Sequence, residues 1–249
     1  MTSKTYIYGK HAVLEAILHA SHTVEQVLIA SNFDDKMIPK TIKDSKIPTG
    51  ILGKLPREID PEATHQGIIA EIDLSKLVKP FNEFIKNLSV GADTSLVILG
   101  ELQDPQNVGA VIRSAAAFGI SGILIPAHNQ APISGTVIKV SAGMAFRIPL
   151  VAVGNVNTTI HDLKEKGFWI YGLSGKAKQS IVDEKFDAPT VFILGNESKG
   201  IRQKTEELCD ILLSIPIDPK CESLNAAASA AVAMYAWSVK RSIRTKSLK

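Results

Sequence analysis

Four non-alternating apolar runs, at 96–99, 122–125, 168–173 and 191–194, constrain this chain more than any other feature; a fifth, at 211–215, is interrupted only by Ser214. A strand with one wet face alternates apolar and polar residues. These runs do not alternate, so they predict strands covered on both faces, the condition of a parallel sheet. The segments 108–118, 136–144 and 158–166 between them carry helical spacing. Strands alternating with helices make the chain from Ser95 onward a doubly wound α/β domain, and in such sheets ligands sit outside the carboxyl ends of the strands.

The part before Ser95 reads differently. Ala12, Val13, Ala16, Ile17 and Ala20 fall on one helical face, a Val/Leu/Ile-rich strand follows at 24–30, and Met37, Ile38 and Ile42 have helical spacing. Short apolar segments at 50–52 and 67–72 bracket a Pro-rich loop at 55–64. These elements make residues 1–74 a small α/β domain, joined by a polar linker at 75–93, with a weak helix around 81–88, to a second domain at 94–249. The first domain offers no nucleophile or phosphate loop, so it reads as a binding module. His65 and Gln66, ahead of the Gly67 strand, are read as loop anchors.

Several function classes drop out. No apolar run approaches the ~20 residues that span a bilayer. The N-terminus lacks the apolar stretch of a secretory signal, so a cytoplasmic location is the expectation. Cys209 and Cys221 have no metal-ligand spacing and read as free thiols; no metal is expected. There is no GxGxxG fingerprint and no GxxxxGK[ST] loop. Of the six histidines, His128 alone follows a strand where a ligand could reach it, and none has a nucleophile beside it. The net charge of +3 is too small to declare a nucleic-acid binder by itself.

Three strand ends carry polar or glycine-rich loops. The first begins at Gly100 and opens a helix holding Asn107, Gly109 and Arg113 among small apolar residues. Arg113 therefore needs a partner, and Glu197 of the second loop, 195–200, is the candidate. The third runs from Pro216 through Pro219 to Ser223 and Asn225, where a helix begins. Either Ser223 or Asn225 can cap it. That helix contains Ala226, Ala227, Ala228, Ala230, Ala231 and Ala233, so another backbone can approach it closely.

Together the three loops resemble the SpoU (TrmH-like) family of RNA ribose 2'-O-methyltransferases of the SPOUT superfamily. The matching residues are Asn107-x-Gly109-Ala110-x-x-Arg113-Ser114-Ala115, Leu194-Gly195-x-Glu197-x-x-Gly200-Ile201, and Ile215-Pro216-Ile217 followed by Ser223-Leu224-Asn225. Tyr8-Gly9-Lys10-His11-Ala12-Val13 and His65-Gln66-Gly67 look like landmarks of that family's N-terminal RNA-binding domain, which is similar to ribosomal protein L30e. The resemblance implies a C-terminal sheet threaded into a trefoil knot, a homodimer, and S-adenosylmethionine (SAM) held by Gly195, Ile215 and Leu224. It implies SAM-dependent 2'-O-methylation of a ribose, best matched to the branch that modifies a guanosine in large-subunit (23S) rRNA. Relatives that act on tRNA or on another rRNA site, and a catalytically silent RNA-binding assembly protein, are the alternatives. Arg113, Asn107, Glu197, Ser223 and Asn225 are the implied catalytic set, with Arg113 anchoring a phosphate and polarising the hydroxyl. Pro219 and Ser198 stand where the family commonly has glycine. Proline fixes φ near -65°, so a loop that needed a positive φ there would have to take another path.

Overall fold

A computed structural model describes residues 4–35 and 37–247, with side chains through Ser242. The N-terminal unit consists of β1 (Lys4–Tyr8), α1 (Lys10–Ala20), β2 (Val24–Ile29), α2 (Met37–Asp44), β3 (Thr49–Ile51) and β4 (Ile68–Asp73). Its sheet has the order β1-β4-β2-β3, with β4 antiparallel to both neighbours and β3 parallel to β2.

The second unit contains β5 (Val78–Pro80), α3 (Phe81–Asn87), β6 (Ser95–Ile98), α4 (Pro105–Phe118), β7 (Gly122–Pro126), α5 (Gly135–Val140) and β8 (Leu150–Val153). It continues through α6 (Val156–Glu165), β9 (Trp169–Leu173), β10 (Gln179–Ser180), β11 (Thr190–Ile193), α7 (Gln203–Glu206), β12 (Ile211–Ser214) and α8 (Ala226–Ser247). The eight strands form one sheet of order β10-β12-β9-β11-β6-β7-β8-β5, in which every pairing is parallel. The reason the runs do not alternate is visible in β6. Leu96 and Ile98 enter the core on one face, Val97 and its neighbour Leu99 the core on the other, and all four are fully buried.

Helix boundaries follow local chemistry. Asp104 accepts a hydrogen bond from the Gln106 N–H, Pro105 opens α4, and Gly119 ends it in the left-handed region at φ 75°. Close contact fixes one glycine inside it: a Cβ on Gly109 would lie 2.6 Å from Val140 Cβ, so α4 and α5 touch there backbone to side chain. The alanine-rich α8 packs on α4 through Ala227, Ala230, Ala233, Met234 and Trp237, all buried. β8 is a short apolar run, Leu150-Val151-Ala152-Val153, outside the five runs first singled out, and β5 carries no apolar run at all. Both belong to the sheet, and Phe84 and Ile85 of α3 are buried against it, so the segment read as a linker is folded onto the sheet edge.

The two units are joined by a side-chain pair that sequence reading did not anticipate. Arg147 donates to both oxygens of Glu15, from Nε at 2.5 Å and from its terminal nitrogen at 2.8 Å. The Glu15 side chain is 5% exposed, whereas that of Arg147 is half-exposed. Lys139 of α5 donates to the Tyr8 hydroxyl at 3.1 Å, and Gly135 lies so near β1 that a Cβ would stand 2.5 Å from the Tyr6 carbonyl oxygen. Hydrogen bonding to Arg147 holds the Glu15 carboxyl below the usual carboxylate range, against the opposing effect of burial. The lowered value means that this contribution is complete above pH 4.5, the ordinary value, and is lost as pH falls through the lower native one. Glu15→Gln is expected to lower unfolding free energy by about 2 kcal/mol, less than for a wholly buried pair because Arg147 is half solvated. Urea titrations at neutral pH and at about pH 3 check this, since the difference between wild type and variant should shrink in acid.

Candidate active site

The carboxyl ends of β6, β9, β11 and β12 converge on one region. Gly195 follows β11 and Gly100 follows its parallel neighbour β6, and the backbones pack closely there: a Cβ on Gly100 would lie 1.6 Å from the Leu194 carbonyl oxygen, and one on Gly195 would lie 2.5 Å from the Gly200 carbonyl carbon. Only glycine fits at either point. The 195–200 loop is closed by paired hydrogen bonds between the backbones of Asn196 and Gly200, both 2.9 Å. The Asn196 side chain ties it down, accepting from the Ser198 and Lys199 N–H groups and donating to the Glu101 carbonyl at 2.9 Å. Ser198 has no positive φ, so a glycine is not required there.

Four of the five residues expected to be catalytic come from three loops, and three of these form one hydrogen-bond chain. Asn107 Nδ2 donates to Glu197 Oε1 at 3.1 Å, and Asn225 Nδ2 donates to Asn107 Oδ1 at 2.9 Å. Asn225 Oδ1 then accepts the Ala227 N–H at 2.8 Å and the Ala228 N–H at 3.3 Å. Asn225, and not Ser223, is therefore the cap of α8. A carboxylate can only accept and a helix N-terminus can only donate, so both amides have a single possible orientation. Burial tends to raise the Glu197 pKa, but its own N–H, the Asn107 amide and the Asp104 and Gln103 N–H groups outweigh that and hold it below the ordinary carboxylate value. Asn107 is buried, so it positions its neighbours and does not itself reach solvent.

Arg113 does not join this group. Glu197 forms no ion pair with it; the carboxylate is taken by the Asn107 and Asn196 amides and by backbone N–H groups. The guanidinium is exposed, and it lines a separate groove with His11 and Arg147. The expected Arg113–Glu197 pair is thus replaced by the Asn107–Glu197 contact, because Arg113 points away from the loops.

Beside the chain lies a cavity of about 330 Å³ bounded by the loops after β9, β11 and β12. Gly195, Ile215 and Leu224, the three expected cofactor contacts, all line it, as do Glu197 and Ser223. Leu173 and Leu213 give it an apolar floor, and Ser174, Glu222 and Ser223 a polar rim. The β9 end, Leu173-Ser174-Gly175, escaped sequence reading; the rule that ligands sit at carboxyl strand ends was the available signal. In the third loop, Cys221 N–H bonds to the Asp218 carbonyl at 2.8 Å and Lys220 N–H to Asp218 Oδ1 at 2.9 Å. Asp at the first position of a turn and Pro at the second is favoured chemistry, so Pro219 is accommodated without a positive φ. His65 Nδ1 accepts the Gly67 N–H and Gln66 Oε1 accepts the Lys10 N–H, so both are anchors as expected. His128 is exposed and lines a different cavity, at the ends of β7 and β8. Both cysteines are free, with burial pushing the Cys209 thiol up to about 12. Among the described residues no group of His, Cys, Asp or Glu could hold a metal, and no helix is long and apolar enough to cross a membrane.

The sequence matches the SpoU rRNA Methylase family over residues 94–235, and the family described as RNA 2'-O ribose methyltransferase substrate binding over residues 6–78. It is 31% identical over 242 residues to a Pseudomonas putida protein named 23S rRNA (guanosine-2'-O-)-methyltransferase RlmB, spanning 94% of this chain and 96% of that one. A protein of the same name from Xanthomonas axonopodis is 34% identical over 239 residues, spanning 92% and 94%. Among solved structures, the SpoU methyltransferase AviRb from Streptomyces viridochromogenes in complex with AdoMet superposes with a TM-score of 0.81 at 21% identity, covering 96% of this chain and 91% of that one. Asn107→Leu removes one donor from the Glu197 carboxylate and the acceptor of the Asn225 amide, and is expected to cost about 2 kcal/mol of stability, measured by chemical denaturation.

Proposed function

Because the chain belongs to the SpoU rRNA methylase family, we propose that it transfers a methyl group from SAM to the ribose 2'-hydroxyl of a guanosine in 23S rRNA. The observation that carries this reading is the full-length likeness, above 30% identity, to enzymes named for that reaction, combined with the matched substrate-binding segment at 6–78. In this reading residues 1–74 bind the RNA, residues 94–249 form the catalytic domain, and the protein works in the cytoplasm.

The cavity beside Glu197 fits SAM. Its volume lies within the range of small-molecule clefts, its floor is apolar enough for an adenine, and its walls are largely backbone at Gly195. Bound there, SAM supplies an electrophilic methyl group on a sulfonium. The residues of this chain bind and orient. Gly195, Ile215 and Leu224 contact the cofactor; the Ser223 hydroxyl is exposed at the rim and holds the ribose; Glu197, Asn107 and Asn225 keep the three loops in register. Arg113 anchors the phosphodiester next to the target and polarises the hydroxyl. A guanidinium is a permanent cation and does not take the hydroxyl proton, which would pass to phosphate or water as the methyl group moves to the ribose oxygen.

Arg113 does not line its own chain's cavity, which supports a homodimer in which it serves the second copy. Incubation with SAM and unmodified 23S rRNA or tRNA, followed by mapping of 2'-O-methyl sites, is expected to give one guanosine in 23S rRNA; modification of tRNA alone rejects the substrate. Arg113→Ala and Gly195→Ala are each expected to lose activity, the second because its Cβ meets backbone. Mixed and refolded together they should regain activity that neither shows alone, and no regain rejects the shared site.

A further inference from the structure

The landmark Tyr8-Gly9-Lys10-His11 contains three polar side chains, and two of them have structural work. The Tyr8 hydroxyl accepts from Lys139. Lys10 donates to the Asp34 carbonyl at 2.7 Å, lies 3.5 Å from Asp35 and sits over the Phe33 ring. His11 is exposed, and among the described residues it has no hydrogen-bond partner. It opens onto the groove of about 500 Å³ between α1 and α4, whose opposite wall carries Arg113.

The charges in this groove are not equivalent. Arg147 is spent on Glu15, whereas Arg113 has neither a hydrogen bond nor an ion pair among the described residues. The rest of the lining is apolar or small, with Ile120, Met144 and Ile148 on the floor and Ala116 and Ala117 along α4. One uncommitted guanidinium and an imidazole above an apolar floor suit a group that is anionic at one end and flat and apolar at the other. A nucleotide has that chemistry, and the groove is roomy enough for one.

Resting on the RNA methyltransferase reading, we infer that this groove receives an unstacked nucleotide of the RNA substrate adjacent to the methylated one. Its phosphate lies between His11 and Arg113 and its base on Ile120, Met144 and Ile148. His11 is then a substrate-binding residue of the N-terminal domain, and the groove connects that domain to the reaction.

The test compares full-length wild type, His11→Ala and Ala117→Trp, the last filling the groove from an exposed position on α4. Filter binding with a 23S rRNA fragment and steady-state methylation are measured together. His11→Ala is expected to raise the RNA Kd and KM about tenfold, as for loss of one charge-assisted contact, with kcat at saturating RNA within about twofold. Ala117→Trp should weaken RNA binding at least as much, and SAM affinity should hold in both. Unchanged RNA Kd and KM in both variants overturn the inference, as does a fall in kcat alone for His11→Ala. A wild type that does not methylate rRNA overturns the reading of function instead, and the RNA-binding comparison still decides on the groove.

Discussion

The arrangement of the cavity depends on one buried amide. Asn107 joins Glu197, 90 residues away, to Asn225, 118 residues away, with both of its polar atoms engaged. The carboxylate at one end accepts only and the α8 terminus at the other donates only, so the chain has one polarity and the loops one register. Three segments that would each carry their own ordering entropy are held as a unit, and Ser223 and Leu224 are fixed because they directly precede the cap.

Helix phase explains why Arg113 stands apart. It lies six residues beyond Asn107, which rotates it by about 240° and advances it by about 9 Å. The same helix therefore serves the strand-end loops with one face and the inter-domain groove with another. The turn at 144–146 packs on both α1 and α4, and Arg147, which follows it, is paired with Glu15 of α1, so an ion pair between the two units helps set the width of the groove.

The buried strands were legible because burial on both faces leaves a mark in each run by itself. β5 carries no such mark. Val78-Lys79-Pro80 is an edge segment, and only its partner β8 makes it a strand. The Glu15–Arg147 pair is 132 residues apart and belongs to neither domain's local pattern. Pairing Arg113 with Glu197 followed from treating the arginine as buried, although residues six apart on a helix do not share a face, as Asn107 and Arg113 show. Ser223 and Asn225 are equally good caps in isolation; the choice falls to Asn225 because Asn107 is within reach of it. The expected cofactor contacts Gly195, Ile215 and Leu224 came from a family likeness, and the cavity they line would not have emerged from composition or spacing.

The order of strands also sets a schedule for synthesis. β6 is complete at Ile98, yet its neighbour on one side, β11, ends at Ile193. At roughly 5–20 residues per second a translating ribosome needs about 5–20 s to supply the missing strand. During that interval a fully buried strand of the sheet has an open edge, while the sheet that ends at Asp73 already has all four of its strands. Unpaired apolar edges are templates for association between chains. A nascent chain of this topology therefore has its greatest need of chaperone protection between these two strands, and a pause after Ile193 is worth more to its yield than one before.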